Sequence, residues 1–391
     1  MLHDPSLHYL DNAATTLVAP EVADTIRAAM AEHWANPSAL YAPAAASEQA
    51  LAAARAALAK TLGCTAGEVV FTGCGSEGNN LALLGLAAAR KSWGRKIVAS
   101  GYEHPSVARP LERLAGEGWQ VEFVPPGPDG RLPLAELLNR VDKATALVAC
   151  MQVNNETGAQ NDVAALAAGV KAANSRTAVH IDGVQGWLRL PALPQKALGC
   201  IDSYTVSGHK IHAPKGVGAL YLRRGCHILP PYLGGGQEHG IRPGTENTPY
   251  AAGIAAAAKR LAGSIPARAA AAAELNARLR AGLASLPGAV LNSPEDAIPQ
   301  LLNFSLEGGP RSETMLHFLE TRGVYVSSGS ACSRGAASHT LLAMGLPASR
   351  IDTALRVSFC AGNTAADVDA LLEGLEAGLK SLRANRGRHK G

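Results

Sequence analysis

The sequence lacks a C-x-x-C pair. Its seven cysteines, Cys64, Cys74, Cys150, Cys200, Cys226, Cys332 and Cys360, are scattered and odd in number. That spacing speaks against a zinc ribbon and a disulfide framework, so no metal site is expected and reduced thiols in a cytoplasm are. There is no stretch of ~18 apolar residues free of charges and breakers, so no membrane-spanning helix is expected. The start, MLHDPSLHYLDNAATT, shows no basic region followed by an apolar run, so no secretory signal is expected. No period of roughly 20–50 residues marks a solenoid. Charge of one sign is also scarce: 36 Lys and Arg face 32 Asp and Glu, a net +4. The only dense basic cluster is the terminal RANRGRHKG, read as a solvated tail. A nucleic-acid binder would concentrate its charge in a stripe, so no direct nucleic-acid contact is expected.

What is present is apolar material in short runs. The 391 residues are 47% hydrophobic and 17% charged, enough for a large core and for about two domains. The runs EVVFT (68–72), KIVAS (96–100), QVEFV (120–124), TALVACM (145–151), AVHID (178–182), DSYTV (202–206) and GVGALYL (216–222) read as seven strands buried on both faces, because they are continuous rather than alternating. Ala- and Leu-rich stretches between them, such as Glu77 to Lys91 and Pro105 to Glu117, read as helices. Strands alternating with helices predict an α/β fold around a mainly parallel sheet. From Pro249 to Leu286 the pattern is long, helical and Ala-rich, broken near Gly263–Pro266. The remainder, with helical stretches near 311–322 and 365–384, predicts a smaller α/β domain.

Four segments carry candidate chemistry. In SYTVSGHKIHAPKGVGALYL, a strand is predicted to end at Val206 and to leave Ser207, His209 and Lys210 at its carboxyl end, where ligands of open parallel sheets bind. A lysine there can form a Schiff base with an aldehyde; a surface lysine is the competing reading. In VHIDGVQG, Asp182 ends a strand and Gln185 follows three residues later. A carboxylate at that point can pair with a protonated pyridine nitrogen or simply cap a helix. In FTGCGSEGNN, a Gly-rich turn opens a helix, so Gly75 and Ser76 would offer backbone N–H and hydroxyl donors to a phosphate. The Lys-Ser/Thr ending of a P-loop is absent. In GYEHPSV, His104 follows a strand and could stack on a flat ring and shuttle protons, or serve the structure alone.

Together these segments bring a family into view. YLDNAATT (9–16), VNNETG (153–158), SGHK (207–210), KGVGALY (215–221), GGGQEHGIRPGTEN (234–247) and SSGSAC (327–332) resemble, in order, the signature segments of class V pyridoxal-phosphate-dependent aminotransferases, and most closely of cysteine desulfurases. The resemblance runs from Tyr9 to about Asp369. It implies a fold-type I transferase, with a seven-stranded large domain over 15–255 and a small domain made of 1–14 and 256–391. It also implies pyridoxal 5'-phosphate as cofactor, L-cysteine as substrate, a homodimer and a sulfur-acceptor protein, whether iron–sulfur scaffold or sulfur carrier. Lys210 would hold the cofactor, Asp182 would face its pyridine nitrogen, and Gln185 and Asn155 its ring oxygen. His104 would stack on the ring. Gly75, Ser76, Ser207 and His209 would hold the phosphate, with Thr245 reaching it across the dimer. Asn155 would also touch substrate, and Arg356 would clamp its carboxylate, a task suited to a guanidinium. Cys332 would be the nucleophile and carry the persulfide, with His104 accepting a proton from a thiol. Tyr41 stands where His is typical, Cys74 and Ser76 depart from the family's phosphate turn, and Cys360 replaces a Gly. Selenocysteine lyase is a close variant. An aminotransferase or simple β-lyase needs no mobile cysteine, and a non-enzymatic subunit would bind no cofactor.

Overall fold

The computed structural model describes residues 7–329 and 337–388. The seven anticipated runs form seven strands: β1 Val69–Thr72, β2 Lys96–Ser100, β3 Gln120–Val124, β4 Thr145–Met151, β5 Ala178–Asp182, β6 Ser203–Ser207 and β7 Gly218–Leu222. They make one sheet in the order β1-β7-β6-β5-β4-β2-β3. β7 is antiparallel to both its neighbours, and every other pairing is parallel. The carboxyl ends of six strands therefore share one edge.

Alternation along each strand feeds two cores. Val69, Phe71, Val98, Val148, Ile181 and Tyr221 pack on one face. Val70, Ile97, Ala99, Leu147, Ala149 and Leu220 pack on the other. Six of the strands are buried along their whole length, which explains why their runs read as continuous; β3, expected to be buried on both faces, instead lies at the sheet edge and is exposed at Gln120 and Phe123. Helices Ala42–Leu62 and Thr248–Ala262 contribute to the first core, and helices Gly75–Arg90 and Pro105–Gly116 to the second. Proline opens several of these helices: Pro43, Pro105 and Pro249 stand in the first turn, where a missing N–H costs nothing and φ is already set. The helix Gly75–Arg90 lies very close to β6. A Cβ on Gly78 would come within 2.8 Å of Thr205 Cγ2.

A third core gathers around a three-stranded antiparallel sheet of Ala289–Leu291, Leu301–Leu306 and Ala354–Ser358. Phe304, Leu355, Val357 and Leu371 pack there, together with Leu279 of the helix Ile265–Ala284 and with Leu10. Leu10 arrives because His8–Tyr9 pairs in parallel with Val324–Tyr325. Among the described residues, no helix is long and apolar enough to cross a membrane.

Candidate active site

The shared strand edge and the third core enclose a cavity of about 200 Å³. Gly75, Ser76, His104, Asn155, Asp182, Gln185, Ser207, His209, Lys210 and Arg356 all line it. Ten anticipated residues from distant parts of the chain thus converge on one space.

The lysine is held by main chain. β6 runs one residue further than expected, to Ser207, and a 3-10 turn over Gly208–Lys210 then turns the chain. Lys210 Nζ donates to the carbonyls of Ala13 and Ala14 at 2.6 and 2.7 Å. The segment that supplies these carbonyls is laced to the turn. Thr16 N–H donates to the His209 carbonyl at 2.9 Å, and His212 N–H donates to Thr16 Oγ1 at 2.7 Å. Ala13 and Ala14 were missed as functional contacts, although YLDNAATT had been singled out.

Asp182 closes β5 with both oxygens occupied. Val184 N–H reaches Oδ1 at 2.9 Å and Asn79 Nδ2 reaches Oδ2 at 2.8 Å. The bond from Val184 caps a turn rather than the helix considered from sequence, since no helix follows Asp182 before Gln195; the bond from Asn79 was not foreseen. His104 is the N-cap of the helix Pro105–Gly116, and its Nδ1 accepts the Ser106 N–H at 3.1 Å. Burial pushes its imidazole below the ordinary value, Asp182 pulls the other way, and Lys210 adds to the lowering. Burial, then Lys210, Lys215 and Arg189, holds His209 down at about 4, so it enters the site as a neutral ring.

The helix Gly75–Arg90 starts at the cavity wall. Cys74, the unusual residue of this turn, is its N-cap, with Sγ accepting from Glu77 N–H at 3.4 Å. The N–H groups of Gly75 and Ser76 belong to the first turn and have no intrahelical acceptor. Ser207 Oγ is buried and has no hydrogen-bond partner among the described residues. Gln185 reaches the cavity, but its amide is already engaged: Nε2 donates to the Ala13 carbonyl at 3.0 Å and Oε1 accepts from Arg189.

Arg356 comes from the three-stranded sheet and is 1% exposed. One terminal nitrogen donates to Asp11 Oδ1 at 2.7 Å and the other to the Asn155 carbonyl at 2.9 Å. Each keeps a second hydrogen, and Nε has no partner among the described residues, so a carboxylate can still be gripped. Its backbone pairs in both directions with Ser327, which brings the start of SSGSAC to the cavity rim. Cys332 itself lies outside the described residues. Gly329 and Ser338 both meet Glu156, the neighbour of Asn155: Ser338 Oγ donates to Glu156 Oε2 at 2.5 Å, and a Cβ on Gly329 would lie 3.0 Å from that same oxygen.

Thr245 is exposed and does not line the cavity of a single chain. Its segment is anchored by two other residues. Glu238 takes both terminal nitrogens of Arg55 at 2.6 and 2.8 Å and also the Phe71 N–H at 2.8 Å. Arg242 binds Glu77 at 2.7 Å. Glu238 and His239 hold positive φ values of 48° and 59°, a cost that this buried anchor offsets. Tyr41 is exposed and stands apart from the cavity lining. Cys360 follows the strand Ala354–Ser358, and burial pushes its thiol up; it does not line this cavity.

Comparison with known proteins identifies the family of the chain. The family described as Aminotransferase class-V matches residues 8–371. A cysteine desulfurase of Trichormus azollae is 37% identical over 97% of this chain and 94% of its own length. The cysteine desulfurase IscS of Methanosarcina thermophila is 35% identical over 96% and 92%. A solved NifS-like protein superposes with a TM-score of 0.89 at 34% identity, covering 94% of this chain and 98% of its own. The chain therefore belongs to the class-V aminotransferase family, and within it to the cysteine desulfurases.

Proposed function

We propose that the chain takes sulfur from L-cysteine, releases L-alanine and holds the sulfur as a persulfide on Cys332 for transfer to an acceptor protein. The observation that carries this reading is the convergence of Lys210, Asp182, His104, Ser207 and Arg356 on one cavity. The residues fit pyridoxal 5'-phosphate on the donor set alone. Ser207 offers a buried hydroxyl without a partner, and Gly75 and Ser76 offer N–H groups at a helix N-terminus, the usual seat of a phosphate. When bound, this cofactor supplies an aldehyde for amines and a ring that withdraws electrons from the substrate.

The chain's own residues do the rest. Lys210 Nζ would hold the cofactor through its aldehyde and would serve as the base for proton transfer on the substrate. Asp182 would accept from a ring N–H, and His104 and Asn155 would help to hold the ring. Arg356 holds the substrate carboxylate with hydrogens it does not spend on Asp11 and Asn155. The Cys332 thiolate attacks the substrate sulfur. A sulfur–sulfur bond forms as the carbon–sulfur bond breaks, and the released electron pair stays with the carbon skeleton that becomes alanine.

Further parts of the reading rest on packing. Ala257, Ala258 and Leu261 pack in the core of the large sheet, so we draw the division between a large and a small domain near Gly263 rather than after residue 255. Exposed apolar side chains at Trp34, Leu40, Tyr41, Leu229, Tyr232 and Leu233 favour a homodimer, in which Thr245 would reach the partner's site. The free thiols at Cys64, Cys74, Cys150, Cys200, Cys226 and Cys360 fit a reducing cytoplasm. The test is alanine formation from L-cysteine by the loaded enzyme, compared with Cys332→Ala. Full turnover in that variant would remove the nucleophile assignment.

A further inference from the structure

A hydrogen-bonded chain leads from His104 at the cavity wall through Ser106, Asn79 and His180 to Ser203, and no step above uses the last four. We propose that Asn79 and Ser106 are positioning residues that fix the proton of neutral His104 on Nε2, so that this imidazole meets the reacting sulfur as an N–H donor. The placement of the proton stands on geometry; its consequence for sulfur rests on the desulfurase reading.

Asp182 sets the bond directions as far as Ser203 and Ser106, and the Ser106 N–H sets them at His104 Nδ1. A carboxylate only accepts, so the amide nitrogen of Asn79, not its oxygen, faces Oδ2 at 2.8 Å. Asn79 Oδ1 is thereby turned to His180 Nε2 at 3.1 Å. An amide oxygen cannot donate, so the His180 proton sits on Nε2, and its Nδ1 accepts the Ser203 hydroxyl at 2.8 Å. Burial alone drives the His180 value to about 3, so this ring carries one proton and no more. Asn79, fully buried, spends its second amide hydrogen on Ser106 Oγ at 2.8 Å. Ser106 then aims its own hydroxyl hydrogen at His104 Nδ1, 2.8 Å away. The Ser106 N–H reaches the same nitrogen at 3.1 Å. Two donors converge on Nδ1, so it is a bare acceptor. A neutral imidazole has one proton, and here only Nε2 remains to carry it.

This revises the acceptor role expected of His104. An imidazolium would need a proton on Nδ1, pointed against the Ser106 N–H. The charged and titratable groups facing the ring are Asp182, which favours the cation, and Lys210 and His209, which oppose it. No proton passes to His104 in this arrangement. It offers Nε2–H as a hydrogen bond that strengthens as sulfur becomes negative, which favours the thiolate over the thiol.

The test is nitrogen NMR on full-length protein labelled with ¹⁵N-histidine, before and after addition of pyridoxal 5'-phosphate, with His104 assigned by its loss in His104→Gln. The expected wild-type result is a pyridine-type Nδ1 and a pyrrole-type Nε2. Ser106→Ala removes one donor that favours the neutral ring, so the His104 pKa should rise by about half to one unit, and Ser106→Thr should restore it. The opposite tautomer in the wild type, or an unmoved pKa in Ser106→Ala, overturns the proposal. Alanine formation assayed on the same samples reports the desulfurase reading by itself. A wild type that makes no alanine yet shows Nε2–H would sink that reading and leave the placement of the proton standing.

Discussion

Ser207 ends a buried strand, yet its hydroxyl finds no protein partner among the described residues. A buried hydroxyl without a partner is a cost unless a ligand supplies one. Ser207→Ala should therefore leave the melting temperature of the cofactor-free protein almost unchanged and weaken cofactor binding about tenfold. Titration of the absorbance near ~400 nm checks this. Burial also sets the charge of two groups beside the site, with opposite signs. Glu103 is pushed up to about 8, first by desolvation and then by Asp182. Its carboxyl is thus protonated in the folded chain where the unfolded chain has lost the proton. The stability that it lends is present below the ordinary carboxylate range and is lost as pH rises toward 8. His180 is pushed down to about 3 by burial, so its contribution is present above the ordinary imidazole value and is lost as pH falls through the acid range. Glu103→Gln should accordingly flatten the decline in stability between weakly acidic pH and pH 8 while leaving the acid limb. A series of thermal melts against pH would show it, and an unchanged decline would discard the Glu103 assignment.

At the scale of elements, six of the strands were readable because both faces of the sheet are covered along them, so their runs are mostly apolar, and the half-exposed edge strand β3 was readable from Val121, Phe123 and Val124. Their direction was not readable. β7 looks like its neighbours in sequence, since period-two burial on two dry faces is the same for either sense. The helices Pro20–Glu32 and Ala42–Leu62 were not singled out, because alanine dominates the second and gives little contrast between its faces. The site residues at strand ends were legible because strand, turn and helix signals met there. Asn79, Ser106 and His180 were not, since their roles depend on which side chains the fold stacks behind the edge. The pairing of the two outer helices also has a testable weak point. A Cβ on Gly253 would lie 2.7 Å from Ile26 Cγ1 and Cδ1, so Gly253 permits the helices Pro20–Glu32 and Thr248–Ala262 to touch. Gly253→Val should cost about 2 kcal/mol of stability, seen as a lower denaturant midpoint, while cofactor absorbance under native conditions is retained.

For the molecule as a whole, the third core closes the site. Arg356 rides on its three-stranded sheet and Asp11 on the segment that follows Leu10, so the Arg356–Asp11 pair at the cavity joins parts of the chain more than 300 residues apart. The proposed second copy would cover the exposed apolar residues near 34–41 and 229–233 and give Thr245 a role. Light scattering after size exclusion should give twice the chain mass, and Leu233→Asp should lower it if these residues form the contact. A monomeric wild type would leave Thr245 without a role. The central claim is tested most directly by mass spectrometry of the intact, cofactor-loaded enzyme after L-cysteine is added in the absence of reductant. The account predicts one extra sulfur atom located on Cys332, matched by released alanine, and no such adduct in Cys332→Ala. Alanine formed at the wild-type rate with Cys332 unmodified, or the added sulfur found on another cysteine, would contradict it.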